Sequence, residues 1–207
     1  MEFALLAPVF VLGLVAGFEG SRMFAMSRHL ANFSNSVAYD FASLNDTVGG
    51  VITVQGVRLY EFATRIGLLT PELAGANLYN HVRYKIGFTM VQMTPTVAGC
   101  ATGCTYTANV AWSWGDLTRA CGTLASTANN SAYDATKLPA GAFQAGAVAV
   151  VDVQATYLPA INAPFFTQRT ISVSQYYPVT SNNFTGNYLP WDGVNDWWNG
   201  TKCSGYP

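Results

Sequence analysis

The first forty-four residues most constrain the fold of this chain, because they predict one long helix with two different surfaces. Residues 3–18, FALLAPVFVLGLVAGF, contain no charged side chain and would be apolar on every face of a helix. Beyond them, apolar residues recur at steps of three and four and form a single stripe. The stripe consists of Met23, Met26, Leu30, Phe33, Val37, Phe41 and Leu44. The first part therefore requires a non-aqueous surrounding, and the second packs on one side only.

The composition argues for a covered surface and against a nucleic-acid partner. Half of the 207 residues are apolar and 10% are charged, against about a quarter charged in typical soluble domains. The chain contains ten Lys and Arg residues and eleven Asp and Glu residues, and no basic cluster occurs. We therefore expect no nucleic acid to bind.

The cysteines indicate an oxidising, extracytoplasmic location. All four lie in the part of the chain that is rich in Thr, Asn, Ser and Gly. An even number favours two disulfides, and we favour Cys100 with Cys104 and Cys121 with Cys203, although three pairings are open. Zinc is the alternative, but no C-x-x-C pair occurs and the two histidines, His29 and His81, are isolated.

Three interpretations compete for residues 1–18. A signal peptide would need a basic start and a cleavage site, whereas here Glu2 comes first and the helical pattern continues. A membrane span needs about 30 Å of apolar helix, and sixteen residues cover about 24 Å. The third interpretation is that the helix is held by copies of itself. Glu2 would then need a cation, either its own α-amino group or a neighbour's, unless it lies among lipid headgroups.

The opening residues, MEFALLAPV, resemble those of TadE-like pilins, the pseudopilins of tight-adherence (Flp-type) pili in the type IV filament superfamily. In that family an acidic residue followed by an aromatic begins the apolar helix, and a proline follows. The segment FEGSR at 18–22 resembles the polar end of the family's apolar segment, and residues 150–176 are similar to its terminal strands. Family members have a short leader, whereas only Met1 precedes Glu2 here. We therefore expect a chain that is already processed or shortened, or one anchored differently.

The resemblance implies a structural subunit of an extracellular, Tad-type pilus that assembles through bundled N-terminal helices. Its partners would be copies of itself in a helical filament, the inner-membrane pilus assembly machinery, a prepilin peptidase and, before assembly, the lipid bilayer. The candidate assembly residues are Glu2, Phe3, Pro8, Phe10 and Phe18. Pro8 would kink or locally open the helix.

The rest of the chain predicts an α+β fold, in which the long hydrophobic helix packs on a mostly antiparallel sheet, a pilin-like lollipop. Residues 1–48 form the helix, with 1–18 as the membrane or filament core and 19–48 packed on the head; residues 49–207 form the β-rich head. Turn formers at 45–50 end the helix. A short strand at 51–55 and a second helix at 57–69 follow, and 71–80 is ambiguous.

Four main strands are predicted, at residues 83–94, 105–114, 146–157 and 170–177. In the second of them, alternation places five side chains on one face: Tyr106, Ala108, Val110, Trp112 and Trp114. Residues 116–139 are polar and are predicted to form a loop.

The tail, residues 181–207, concentrates aromatic side chains among Asn and Gly. Candidate surface-binding residues are Trp191, Trp197, Trp198 and Tyr206, although packing or subunit contact is favoured over ligand recognition. The alternative function is therefore a membrane-anchored extracytoplasmic module whose aromatic tail adheres to glycan or to a surface. Asp192, Asn195 and Asp196 offer oxygen ligands without the spacing of a calcium loop.

The sequence contains no recognisable catalytic motif. Neither histidine lies near a nucleophile motif, no G-x-S-x-G or phosphate-binding loop occurs, and the acidic residues are scattered. We expect a protein that is not an enzyme, with no metal and no cofactor.

Overall fold

The computed structural model describes residues 2–44, 47–48, 51–66, 84–128, 132–161, 167–180, 191–193 and 200–206; the side chains of residues 2–5, 47–48 and 51–52 are not described. Helix α1, Glu2–Ala42, contains 41 residues and continues through Pro8. Its rise of 1.5 Å per residue makes it about 60 Å long. The local opening that proline favours is therefore not present, and the long helix is confirmed.

Two short strands and a second helix follow α1. Strands β1, Thr47–Val48, and β2, Val51–Ile52, form a small antiparallel pair. Helix α2, Gly56–Thr64, confirms the main part of the predicted second helix. The ambiguous segment 71–80 and the glycines at 49–50 lie outside the described residues.

Within the described ranges, the main sheet has four long strands and three short ones. The four long strands are those that the sequence predicts: β3, Tyr84–Pro95; β4, Tyr106–Gly115; β7, Gly146–Tyr157; and β8, Arg169–Pro178. Their pairings are all antiparallel. The short strands are β5, Thr123–Thr127; β6, Lys137–Pro139; and β9, Gly200–Lys202. The strands lie in the order β6-β5-β4-β3-β7-β8, and β9 also pairs with β4. The fold is α+β, as expected.

One face of the sheet, the helix face, is covered by the second half of α1, which crosses β7 and β8. The predicted stripe lies at this contact: Met26, Leu30, Phe33, Val37 and Phe41 are buried. The ring of Phe41 meets Phe88 of β3 edge-on at 5.5 Å and Trp112 of β4 at 5.7 Å. Each fully buried side chain of this kind contributes about 1.5–3 kcal/mol, so the stripe fixes this half of the helix on the sheet.

The predicted single face of β4 is wrong, because the strand contains a β-bulge. Met90 of β3 pairs with Trp112 and the next residue, Val91, pairs with Val110, so Ala111 is the extra residue. An inserted residue reverses the alternation of side chains beyond it. Trp112 and Trp114 therefore pack on the helix face, while Ala108 and Val110 pack on the opposite face, which we call the far face.

The predicted loop at residues 116–139 is also wrong in part, because it contains β5 and β6. These strands run parallel to each other and continue the sheet beyond β4. With the 3₁₀ helix Ala140–Ala142 they bring Leu124, Leu138 and Ala142 against Val148 and Val150 of β7. The sheet thereby curls over its own far face, and the polar composition of residues 116–139 conceals the buried Leu124 and Leu138.

Two disulfides close the cysteine-rich part, and both are the favoured pairs. Cys100 and Cys104 join within the β3–β4 connection, and Cys121 joins Cys203 next to β9. The second bridge spans 82 residues. It attaches the end of the chain to the segment between β4 and β5.

Candidate functional site

The first half of α1, residues 3–18, is the apolar half of the sequence pattern, and its described side chains do not pack on the sheet. The large exposed ones are Leu6, Val9, Phe10, Val11, Leu12, Leu14 and Phe18. A stretch of 18 residues in this helix is apolar and long enough to cross a membrane, and 11% of it is buried. This length and composition are those of a membrane anchor or of a signal sequence.

Three of the predicted assembly residues have described side chains in this half of α1. Pro8, Phe10 and Phe18 are exposed, with Phe10 at 69%. Glu2 and Phe3 lie in the first turn of α1, and their side chains are outside the described part. Pro8, Phe10 and Phe18 therefore belong to an apolar helix surface rather than to a concave site.

Glu19 marks the residue at which α1 meets the sheet. Its side chain is 2% exposed, although it directly follows the exposed Phe18. The Tyr157 hydroxyl donates a short hydrogen bond to Oε2, and the backbone N–H groups of Ala160 and Ile161 donate to Oε1 at 2.9 and 3.2 Å. One carboxylate thus fastens α1 to the end of β7 and to the turn beyond it, a contact we call the latch, which the sequence did not predict.

Charge and burial explain how the latch is held. The Tyr157 hydrogen bond, followed by the backbone N–H groups and Arg22, lowers the pKa of Glu19 despite its burial. Burial, followed by the Glu19 carboxylate, raises the pKa of Tyr157, so its hydroxyl remains a donor at neutral pH. Arg22 lies 3.5 Å from Glu19 and stacks over Phe18 and Tyr157.

A cavity of about 180 Å³ opens beside the latch, and we call it the junction pocket. It lies between α1 and the ends of β7 and β8, and its lining residues are Ala16, Glu19, Gly20, Met23, Tyr157, Pro159, Thr167 and Arg169. Among its described lining residues, the charged ones are Glu19 and Arg169. Within the described part of the chain, Arg169 forms no ion pair and no side-chain hydrogen bond.

A buried polar cluster on the far face was missed by the sequence analysis. Arg119 donates from Nε and Nη2 to the two oxygens of Asp152 at 2.9 Å, and from Nη2 to Ser174 at 3.2 Å. Its Nη1 donates to the carbonyl groups of Asp134 and Lys137. All five N–H donors are therefore used. The available signal was Asp152 itself, a lone carboxylate inside the apolar strand β7.

The cluster ties the curled part of the sheet to its centre. Burial raises the pKa of Asp152, and the Arg119 guanidinium opposes that shift. Since every polar atom of Arg119 and Asp152 has a protein partner, the geometry suits a structural ion pair. Nothing in it leaves a group directed at a substrate.

The aromatic tail does not form the predicted binding surface at Trp191, which corrects that assignment. Trp191 is 2% exposed, because its ring packs on Trp112 at 5.9 Å in the core of the helix face. Tyr206 is half-buried and packs against the buried apolar residues of the helix face and of the far face. Trp197 and Trp198 lie outside the described residues.

The neighbouring Asp192, considered as an oxygen ligand for a cation, acts instead at the start of α2. Both carboxylate oxygens accept from the Gly56 N–H, at 3.3 and 3.2 Å, and the Asp192 N–H donates to Val54. A carboxylate at a helix N-terminus is favourable. Among the described residues, no group of three His, Cys, Asp or Glu side chains could hold a metal; His81, Asn195 and Asp196 lie outside them.

The described residues thus form an exposed apolar helix, a latch at its base, and a pocket lined by Arg169, which has no acidic partner in the described ranges. Comparison with known protein families, curated proteins and solved structures finds no match to this chain.

Proposed function

We propose that this chain is a structural subunit of an extracellular, type IV-like filament of the Tad class, assembled by bundling of the apolar halves of α1. The observation that supports this best is the division of α1 at Glu19. One half is packed and latched on the sheet, and the described side chains of the other remain uncovered around the helix. The resemblance of MEFALLAPV to TadE-like pilins indicates the same function.

The length of the apolar half favours copies of the chain over lipid as its final surrounding. Sixteen residues cover about 24 Å, less than the hydrocarbon thickness of about 30 Å. Removal of apolar surface from water is worth about 25 cal/mol per Å². That gain is absent when a helix leaves lipid, so helix packing and pairing of charge must favour the filament.

The proposal places the chain in the inner membrane first and on the cell surface afterwards. The apolar half holds the subunit in the bilayer, where a prepilin peptidase and the pilus assembly machinery act on it. Extraction then buries the apolar halves in the filament core, and the β-rich heads cover the outside. The sparse charge on the chain suits heads that contact one another.

The direct test is negative-stain microscopy of material sheared from cells, together with mass spectrometry of the N-terminal peptide. We expect fibres that contain this chain and a mature N-terminus close to Glu2. Fibre formation should be reduced in Glu2→Ala and in Phe10→Ser, while the head remains folded.

Val97→Ser is the matched control for Phe10→Ser, because Val97 is similarly exposed, at 66%, but lies in the β3–β4 connection. Removal of exposed apolar surface there should leave fibres unchanged. The proposal fails if purified full-length wild-type chain remains a dispersed monomer both with and without detergent.

A further inference from the structure

We propose that the junction pocket of one subunit receives the Glu2 carboxylate of a second subunit, with Arg169 as its cation. This inference rests on the proposed self-assembly and names the contact that would align neighbouring helices. The occupant is the N-terminal turn of another copy of this chain.

Charge complementarity identifies the occupant. Glu2 is the only charged side chain in residues 1–18, and burial of an unpaired carboxylate among apolar helices is costly. Four other arginines already have acidic partners: Arg22 with Glu19, Arg58 with Glu61, Arg65 with Asp40 and Arg119 with Asp152. Arg28 lies over the ring of Phe24 on an exposed part of α1 and lines no described pocket. Arg169 lines a cavity and has no such partner within the described ranges.

The acid already in the pocket does not neutralise Arg169. Glu19 accepts hydrogen bonds from Tyr157, Ala160 and Ile161 and lies beside Arg22. Its carboxylate is therefore committed to the latch. A second carboxylate from outside can pair with Arg169 without displacing it.

The helix surface beside the pocket allows another helix to approach. Gly13, Gly17 and Gly20 are exposed, and a Cβ built on any of them would have open space within 4 Å. Ala16 and Gly20 form the helical side of the pocket itself. A second α1 can therefore lie close to this one, where exclusion of water strengthens an ion pair.

The spacing along the helix sets the offset between the two copies. Glu2 and Gly20 are eighteen residues apart, which is five full turns and about 27 Å. Two parallel helices shifted by that distance bring the Glu2 of one beside the Gly20 of the other. Within a single copy, the same distance keeps Glu2 away from Arg169.

A charge exchange tests the contact on the full chain, assembled by dilution from detergent and measured by sedimentation. Arg169→Glu and Glu2→Arg should each raise the critical concentration by about tenfold, as loss of a partly shielded ion pair implies. The double variant should return to within about threefold of wild type. Arg28→Glu is the matched control, because Arg28 is exposed on α1 outside the pocket. An unchanged thermal midpoint in detergent would establish that each variant is folded.

Chemical cross-linking tests proximity without relying on assembly yield. In filaments of the Arg169→Lys variant, a carbodiimide should couple the Glu2 carboxylate to the introduced side-chain amine, and mass spectrometry should identify the joined peptides. Mixing of isotopically labelled and unlabelled subunits should show that the bond joins different copies.

The outcomes separate this inference from the proposed function. If Arg169→Glu assembles as wild type does, or if the double variant is no better than the single ones, the pocket assignment is wrong while the filament stands. If Arg169→Glu loses only its binding to vesicles containing phosphatidylglycerol, the pocket holds a lipid phosphate, which also overturns the inference. If wild type forms no filament, the proposed function fails first.

Discussion

The hydroxyl of Tyr157, the last residue of β7, donates a hydrogen bond to the carboxylate of Glu19, a residue 138 positions earlier in the chain. This contact lies where α1 leaves the sheet. Side chains before Glu19 are largely exposed, and the stripe after it is buried. The pair therefore divides one continuous helix into a free half and a packed half.

Tyr157→Phe should loosen this latch without altering the core. Loss of the hydroxyl removes one hydrogen bond to a charged group and should cost about 1.5–3 kcal/mol. At about 2–4 °C per kcal/mol for a chain of this size, Tm should fall by about 3–12 °C. Differential scanning calorimetry in detergent would measure it. Tyr106→Phe, a half-exposed tyrosine at the start of β4, is the control and should leave Tm unchanged. If Tyr157→Phe lowers Tm no more than Tyr106→Phe does, the hydrogen bond from Tyr157 to Glu19 adds no stability.

Stability should depend on pH through Glu19. Because its pKa is lowered in the folded state, chiefly by Tyr157, its contribution is fully present above the ordinary carboxyl pKa of about 4.5. The contribution should disappear as the pH falls through the lower, folded pKa. The Tm difference between wild type and Glu19→Gln should therefore be constant near neutrality and should shrink in acid. A difference that grows in acid would contradict the assigned direction.

Removing one partner of the Arg119–Asp152 ion pair should cost more stability than replacing both residues with apolar ones. Arg119→Met leaves a buried carboxylate without its cation and should destabilise the head by about 3–5 kcal/mol. Arg119→Met combined with Asp152→Leu should recover part of that loss, because no unpaired charge remains. Urea unfolding with the disulfides intact would compare them. A double variant less stable than Arg119→Met would show that the remaining partners of Asp152 suffice.

The two disulfides should contribute unequally to stability. Chain entropy predicts about 4–5 kcal/mol for a bridge that closes a loop as long as that of Cys121 and Cys203, and about 2 kcal/mol for the short loop of Cys100 and Cys104. Replacement of each pair by alanine, followed by urea unfolding, tests this order. Reversal of the order would indicate that the chain end is held mainly by β9 and by packing.

Patterns confined to one element were predicted well from the sequence. The 3.6-residue period placed Phe33, Val37 and Phe41 on the packed side of α1, and alternation located the four long strands. These signals are local, because burial on one side repeats with the period of the element. The exposed apolar half was equally visible, since sixteen uncharged residues exclude water on every face.

Features that depend on pairing between distant segments were not predicted. The bulge at Ala111 places Trp112 and Trp114 on the opposite face of the sheet from the one that alternation predicts. The neighbouring strand β3 sets this register, and the sequence of β4 alone does not contain it. The strands β5 and β6 were hidden because their few apolar residues meet a surface formed by β7. Arg119 and Asp152 were separate charges in the sequence and a single ion pair in the fold.

The sequence by itself determined that this chain has an apolar leading helix, an amphipathic continuation and four long strands. Each shows in residues that are close together in the chain, as an uncharged run, a 3.6-residue period or a two-residue alternation. Only the tertiary structure decided where the helix is fastened, that Trp191 is hidden, and that Arg169 lines a pocket beside α1. Those properties depend on contacts between residues far apart in the chain, and their positions are set when the strands pair and the helix packs across them.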